Sequence, residues 1–532
     1  MRYDAVIIGG GHNGLTCACY LAAAGLKVRV CERRHIVGGS AITEEFHPGF
    51  RNSVASYTVS LLQPAIIRDL RLAAHGLQII ERSYANFLPL PDGQAFRLGP
   101  DAATTQSELA RFSTRDAQRL PAYYRVIENV AEVLRESVLK TPPNMGGGVG
   151  DLVRAMSLGL RLRKLGTSAR RDLLDLFTKS AGELLDDWFE SEPLKAAFGF
   201  DSVVGNFASP YTPGSAYVLM HHAFGEVNGK RGTWGHARGG MGAITQAMAA
   251  EARVRGVEIS TESAVAGIRV RGGRATAVVL DSGEEIEART LAANVNPRSL
   301  YLDLLEPGVI DEEIRGRMRR YRCGSASFRM NVALAELPDF SCAPGKTAQP
   351  HHSAGIIMAP SLGYMDRAHA DARALGWSRE PIVEMLIPSV IDDSLAPPGM
   401  HVASLFCQHF NPQLPLGRSW MAEREQAADL IVDTVSRYAP NFKASVIARQ
   451  VLSPLELETI FGLPNGDIMH GALGLDQIFS ARPLLGHADY RTPVRGLYLC
   501  GSGAHPGGGV TGAPGYNAAR EILRDLRRKP VS

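Results

Sequence analysis

The run Tyr3-Asp4-Ala5-Val6-Ile7-Ile8 passes without a break into Gly9-Gly10-Gly11-His12-Asn13-Gly14. No other feature limits the folds open to the chain as strongly. A small-residue helical stretch, Leu15 to Ala24, follows and stops at Gly25. A second strand, Lys27-Val28-Arg29-Val30-Cys31, then ends on Glu32. Glycine at 9, 11 and 14 inside a β-α-β unit, with an acidic residue about twenty positions on, is the pattern of a dinucleotide site. Gly9 permits the tight turn, Gly11 lets backbone approach a pyrophosphate, and Gly14 lets helix and strand pack closely. The helix start, with His12 and Asn13 in its first turn, offers free N–H groups and a positive dipole end to phosphates. Glu32 can accept hydrogen bonds from a ribose diol. A glycine-rich turn in an ordinary α/β domain would carry little by itself; the register of strand, turn, helix, strand and carboxylate makes the assignment.

Beyond Glu32, Gly38-Gly39-Ser40-Ala41 lets backbone approach a bound nucleotide a second time. Arg33 and Arg34 leave two readings open. They could recognise a 2′-phosphate, or be solvated charge or a lid over the adenosine. The C-terminus favours a flavin. There, the strand Gly496 to Cys500 runs into Gly501-Ser502-Gly503-Ala504-His505-Pro506-Gly507-Gly508-Gly509-Val510, and a helix is expected from Pro514 to Arg528. Pro514 suits a first helical turn, so a second helix N-terminus is aimed at a ligand. Donors at Gly501, Ser502, Gly508, Gly509 and Val510 could stabilise negative charge at N1/O2 of a reduced flavin ring.

Between these ends the pattern changes twice. Residues 42–100 read as mixed strands and turns, and 101–230 as mainly helical, including helices over Ala117 to Lys140 and Arg171 to Glu190. A β-rich block with a helix over Ala243 to Arg255 follows, and then strands from about 325 to 455 with a helix near Ala422 to Tyr438. This alternation predicts two discontinuous domains. Residues 1–100, 232–300 and 455–532 bind the dinucleotide, and 101–231 with 301–454 bind substrate. Adjacent His221 and His222 point about 100° apart on a helix, which excludes a simple bidentate metal site. Residues 151–171 interleave Leu and Met with six basic residues against Asp151. Such a helix can lie on an anionic membrane surface, although a core helix with a solvated face has the same pattern.

The 532 residues are enough for two or three domains with substantial cores. A balance of 57 basic against 54 acidic residues gives no reason to expect nucleic acid. The seven cysteines are scattered without a Cys-x-x-Cys pair, so reduced structural thiols in a cytoplasmic-type compartment are expected, and no metal. Neither a signal peptide ahead of the first strand nor a transmembrane run is expected.

The chain resembles the phytoene-desaturase-related flavoproteins. The resemblance rests on Gly9 to Gly14, Gly38-Gly39, Ala208 to Ser215, Gly239-Gly240-Met241-Gly242, Phe461-Gly462-Leu463-Pro464 and Leu497 to Val510. It implies an α/β fold, with a Rossmann-type FAD-binding domain of the flavin amine oxidase/phytoene desaturase kind and an inserted mixed α+β substrate domain. It also implies one non-covalent FAD, with ADP on Gly9 to Gly14 and Glu32, further contacts from Gly240 and Met241, main-chain contact with adenine near Val265, and the ring beside Gly508 to Val510. No second Gly-x-Gly-x-x-Gly follows a strand, so no separate NAD(P)H site is expected.

A flavin domain with an apolar-walled second domain suggests hydride transfer from a lipophilic small molecule to flavin, with oxygen or a quinone as acceptor. Candidate catalytic groups are His470, His505 and Tyr211, with His221 or His222 behind them; each also has a structural reading. Two other functions remain open: a redox-neutral isomerase of a polyene-like substrate, and a non-enzymatic lipid-binding escort. The intact nucleotide motif counts against the escort.

Overall fold

The computed structural model describes residues 3–144, 146–223 and 225–527, with the backbone alone at 222 and 223. Two sheets organise it. In the first, parallel strands run in the order Glu258–Ser260, Val28–Cys31, Tyr3–Ile8, Glu285–Ala293 and Leu497–Leu499. Ala5, Val6, Ile7, Leu291, Ala292 and Ala293 are wholly buried, as parallel strands covered on both faces require. An antiparallel meander, Val265–Arg271 and Arg274–Leu280, pairs with the outer half of Glu285–Ala293.

The helices His12–Ala23 and Ala513–Arg527 lie side by side against this sheet. Small residues allow the approach. A Cβ on Gly515 would stand 2.0 Å from the carbonyl oxygen of Asn13. The N-terminal motif and the C-terminal loop therefore converge, and Asn13 Nδ2 donates to Ser502 Oγ at 3.0 Å.

The second sheet runs Val446–Leu452, Ser327–Leu334, His401–Phe410, Trp377–Leu386, Gly355–Met358, Asn86–Pro89 and Ala95–Leu98. One face packs Met330, Val332, Met385 and Leu405 with the helix Trp420–Ser436. Strand alternation puts Arg329, Phe406 and Glu384 on the opposite face, in register as neighbours across three strands. Helices Thr114–Val138, Ala181–Trp188, Glu192–Phe200 and Leu362–Leu375 enclose that side.

Two expectations need correction. Residues 86–98, assigned above to the dinucleotide domain, belong to the second sheet, because Asn86 and Phe87 pair with Gly355 and Ile356. The single helix expected over 171–190 is two, Thr167–Thr178 and Ala181–Trp188. Ser180 breaks it by forming a capping box with Glu183, which satisfies the N–H groups of a new helix start.

Candidate functional site

Two cavities meet between the sheets. One, of about 1180 Å³, is walled by Gly9, Gly11, Glu32, Arg33, Gly39 and Val265. The other, of about 1050 Å³, is walled mainly by apolar and aromatic groups, among them Tyr57, Leu61, Phe200, Trp234, Phe406 and Met469. His12, Ser40, His470 and Ser502 line both. The cavities are therefore two arms of one channel.

The glycines of the cradle leave little or no room for side chains. A Cβ on Gly14 would lie 2.2 Å from Gly9 O, one on Gly11 2.8 Å from Asn294 Nδ2, and one on Gly39 3.3 Å from the Cα of Gly11. Gly38 closes the same cradle by donating its N–H to Gly10 O at 2.9 Å, and Ala41 N donates to Gly38 O at 3.0 Å. Glu32 is buried, accepting from Gly10 N at 2.8 Å and Arg34 N at 2.9 Å. Its position at the end of Val28–Cys31 leaves further lone pairs for hydroxyls. Arg33 donates to Ile460 O at 2.5 Å, and Arg34 pairs with Glu44 at 2.8 Å. Both arginines make contacts within the protein and line the nucleotide arm, where Arg34 keeps a buried Nη1 without a hydrogen-bond partner.

At the junction, Arg482 is fully buried and donates to Ser502 O at 2.8 Å, Met469 O at 2.6 Å and Gln477 O at 3.1 Å. It therefore ties the loop carrying His470 to the loop after Leu497–Leu499. His470 has a positive φ of 58°, and Tyr321 Oη donates to its carbonyl at 3.0 Å. His470 Nδ1 and His12 Nε2 are buried without a hydrogen-bond partner. Burial, and then the neighbouring Arg482, push the His470 pKa down to about 4. Burial, and then His470, push His12 to about 3. Both rings are neutral at pH 7. Two orphaned neutral imidazoles beside a glycine cradle and a buried ribose-type carboxylate fit the polar middle of an FAD molecule.

The C-terminal loop supplies Gly509 and Val510 to the apolar arm, while Gly508 O faces His221 Nε2 at 3.2 Å. Gly501 backs onto Asn294. Gly240 and Met241 lie outside both cavities. Met241 N donates to Ser53 Oγ at 3.0 Å and Gly240 N to Ala237 O at 2.8 Å, so this turn is tied to the strand Phe50–Ser53.

Two catalytic candidates are displaced. Tyr211 lines neither arm; it is 40% exposed and donates to Asp186 at 3.0 Å. His505 lines neither arm; its Nε2 bonds Ser137 O at 3.0 Å and its ring meets Phe479 edge-on. In both, the polar atoms are already committed away from the channel. The side chain of His222 lies outside the described residues.

Sequence reasoning missed the far wall of the apolar arm. Tyr57 Oη donates to Glu384 at 2.5 Å, Arg82 donates to Thr58 Oγ1, and Asp201 stands where this arm meets a third cavity of about 1590 Å³. Burial, and then Glu384, raise the Asp201 pKa to about 8. Burial also raises Glu384, against Arg82, Tyr57 and Arg329. Arg329 lies behind Tyr57 with its guanidinium 4.5 Å from the ring centroid. The readable signal was a lone charge inside each apolar strand, Arg329 in Phe328 to Leu334 and Glu384 in Ile382 to Ile387. Asn294, whose Nδ2 donates to Gly9 O at 3.2 Å, was missed as well.

Residues 14–327 match the family described as flavin containing amine oxidoreductase. The chain is 43% identical to pyridine nucleotide-disulfide oxidoreductase domain-containing protein 2 of Mus musculus, over 99% of this chain and 94% of that one. It is 26% identical to one of the subunits of limonene dehydrogenase from Castellaniella defragrans, over 98% and 95%. It is 25% identical to a lycopene-forming phytoene desaturase of Pantoea ananas, over 98% and 99%.

Proposed function

Because the chain belongs to the flavin containing amine oxidoreductase family and is an FAD-dependent oxidoreductase, we propose that it removes hydride from a C–H bond of a lipophilic small molecule. One observation carries this reading: the apolar arm opens directly onto the nucleotide arm at His12, Ser40, His470 and Ser502. Relatives named for limonene and for lycopene-forming phytoene desaturation act on hydrocarbons by their names, which agrees with such walls.

FAD, when bound, supplies the two-electron acceptor, and oxygen or a quinone would reoxidise it. The chain's residues do the rest. Gly9 to Gly14 and the start of His12–Ala23 receive the pyrophosphate, and Glu32 takes the ribose. Leu61, Phe200, Trp234 and Phe406 exclude water and hold an apolar substrate against the junction. His470, neutral at pH 7 and with Nδ1 unpartnered, takes the proton lost from the carbon next to the oxidised one.

The test is anaerobic. Hydrocarbon and long-chain alcohol donors, short amines, NADH and NADPH are each mixed with the purified holoprotein while visible flavin absorbance is followed. Bleaching by an apolar donor and not by nicotinamides is expected. Bleaching by nicotinamides alone, or by short amines alone, would overturn the reading.

A further inference from the structure

The helix Val149–Lys164 has no buried residue along its 16 positions. A stable water-facing helix would present polar side chains outward. This one presents Val149, Leu152, Val153, Met156 and Leu160, each 56–79% exposed. At 100° per residue these five fall within an arc of about 100°, one continuous apolar stripe. Arg163 and Lys164 stand exposed at the helix end, and Arg170 and Arg171 follow on the next helix.

The inner side of the helix covers a cavity of about 840 Å³ lined by Lys140, Arg154, Arg161, Arg520, Arg524 and Phe479, among others. Val153 belongs both to the stripe and to the cavity wall, so the cavity opens beside the apolar face. The nearby carboxylates are Asp151, 2.7 Å from Arg154; Glu136, 3.6 Å from Arg161 and 3.9 Å from Lys140; and Glu521, 2.6 Å from Arg524. Glu521 is shared with Arg491 at 2.9 Å. Five cations thus face three carboxylates, one of them divided. The surplus positive charge is concentrated under the rim. Burial first, and then Arg161, depress the Lys140 pKa, against the opposing pull of Glu136.

We propose that this helix docks the protein on a bilayer, its apolar stripe entering the acyl boundary while the basic cavity beneath seats the phosphate of an anionic lipid headgroup. An apolar face bordered by cations complements a surface that is hydrocarbon inside and negative outside. A second copy of this chain is a poorer occupant, because symmetric pairing would bring the same basic groups face to face. The proposal does not depend on the substrate.

The experiment uses the full FAD-loaded chain and sedimentation with vesicles of phosphatidylcholine alone or mixed with phosphatidylglycerol. Co-sedimentation with the mixed vesicles and not with phosphatidylcholine is expected. Leu152→Ser/Met156→Ser touches only exposed side chains, so flavin spectrum and thermal midpoint stay unchanged while partitioning falls about tenfold or more. Arg161→Ala lowers it about fivefold. Equal binding to both vesicles, or none, would overturn the proposal. So would release by inorganic phosphate at matched ionic strength, which would make a free anion the ligand. A wild-type dimer that Leu152→Ser/Met156→Ser converts to monomer would also overturn it.

Discussion

A methyl group on Gly14 would stand 2.2 Å from the backbone oxygen of Gly9, and backbone on both sides cannot yield without parting helix from strand. Gly14→Ala is therefore expected to give little folded protein, and no flavin in what is recovered, as read from yield and visible spectrum. The histidines separate by the same kind of local accounting. His470→Ala should retain flavin yet slow donor-dependent bleaching about a hundredfold or more, in single-turnover mixing. His505→Ala removes one hydrogen bond to Ser137 O, which still accepts from Lys140 N at 3.1 Å, and should cost about 0.5–1.5 kcal/mol in denaturant unfolding; the bleaching rate per folded molecule should not change. Tyr211→Phe removes only a surface hydrogen bond and should alter neither. Sequence could nominate all three residues, because each lies in or beside a glycine- or proline-rich loop. It could not rank them. Which way a loop histidine turns depends on partners far along the chain, Ser137 for His505 and Arg482 behind His470.

Elements with a local cause were legible. Strand, glycine turn, helix and strand over residues 3–31 follow from alternation of type and from punctuation by glycine. The meander and the helix Gly242–Val254 were legible for the same reason. Elements decided by distant partners were not: Asn86–Pro89 looks like any short strand, and only Gly355–Met358 places it in the second sheet. The helix Gly242–Val254 shows what such partners contribute. Its buried Glu251 meets Arg71 at 2.9 Å, His75 at 2.6 Å and Arg255 at 2.7 Å. Burial raises the Glu251 pKa, but these three bonds outweigh it and bring it to about 2. A depressed carboxylate stabilises the fold above its unfolded pKa, ordinarily near 4.5. That contribution is lost as pH falls towards 2. Glu251→Gln should therefore lower the thermal midpoint at pH 7 and flatten its decline between those two pH values, by calorimetry across the acid range.

At the scale of the whole molecule, the site exists because two sheets built from interleaved segments both border the channel. Asp392 fastens one segment to another. It is buried, bonds His236 at 2.8 Å and accepts from Gly239 N at 2.7 Å, so the segment after Trp377–Leu386 is tied to the turn before Gly242–Val254. Burial alone would raise its pKa; the bonds from His236, Ser394 and Gly239 hold it well below the usual carboxylate range. Asp392→Asn should cost about 2–3 kcal/mol and loosen flavin retention on dialysis, because the cradle and the apolar arm then part more easily. The convergence of the N-terminal motif and the C-terminal loop was legible from the glycine-rich segments at both ends of the chain. The channel was not, since its far wall includes Glu384, with Arg329 behind Tyr57, lone charges on strands that otherwise read as plain core. The central claim is that Gly9 to Gly14, Glu32 and the loop after Leu497–Leu499 form one FAD site opening on that channel. The most direct measurement is flavin content: acid precipitation of the purified protein, with FAD quantified in supernatant and pellet. One equivalent of FAD per chain, released to the supernatant, is the predicted result. A colourless protein that takes up no FAD on reconstitution, or flavin that stays with the pellet as a covalent adduct, would contradict the account.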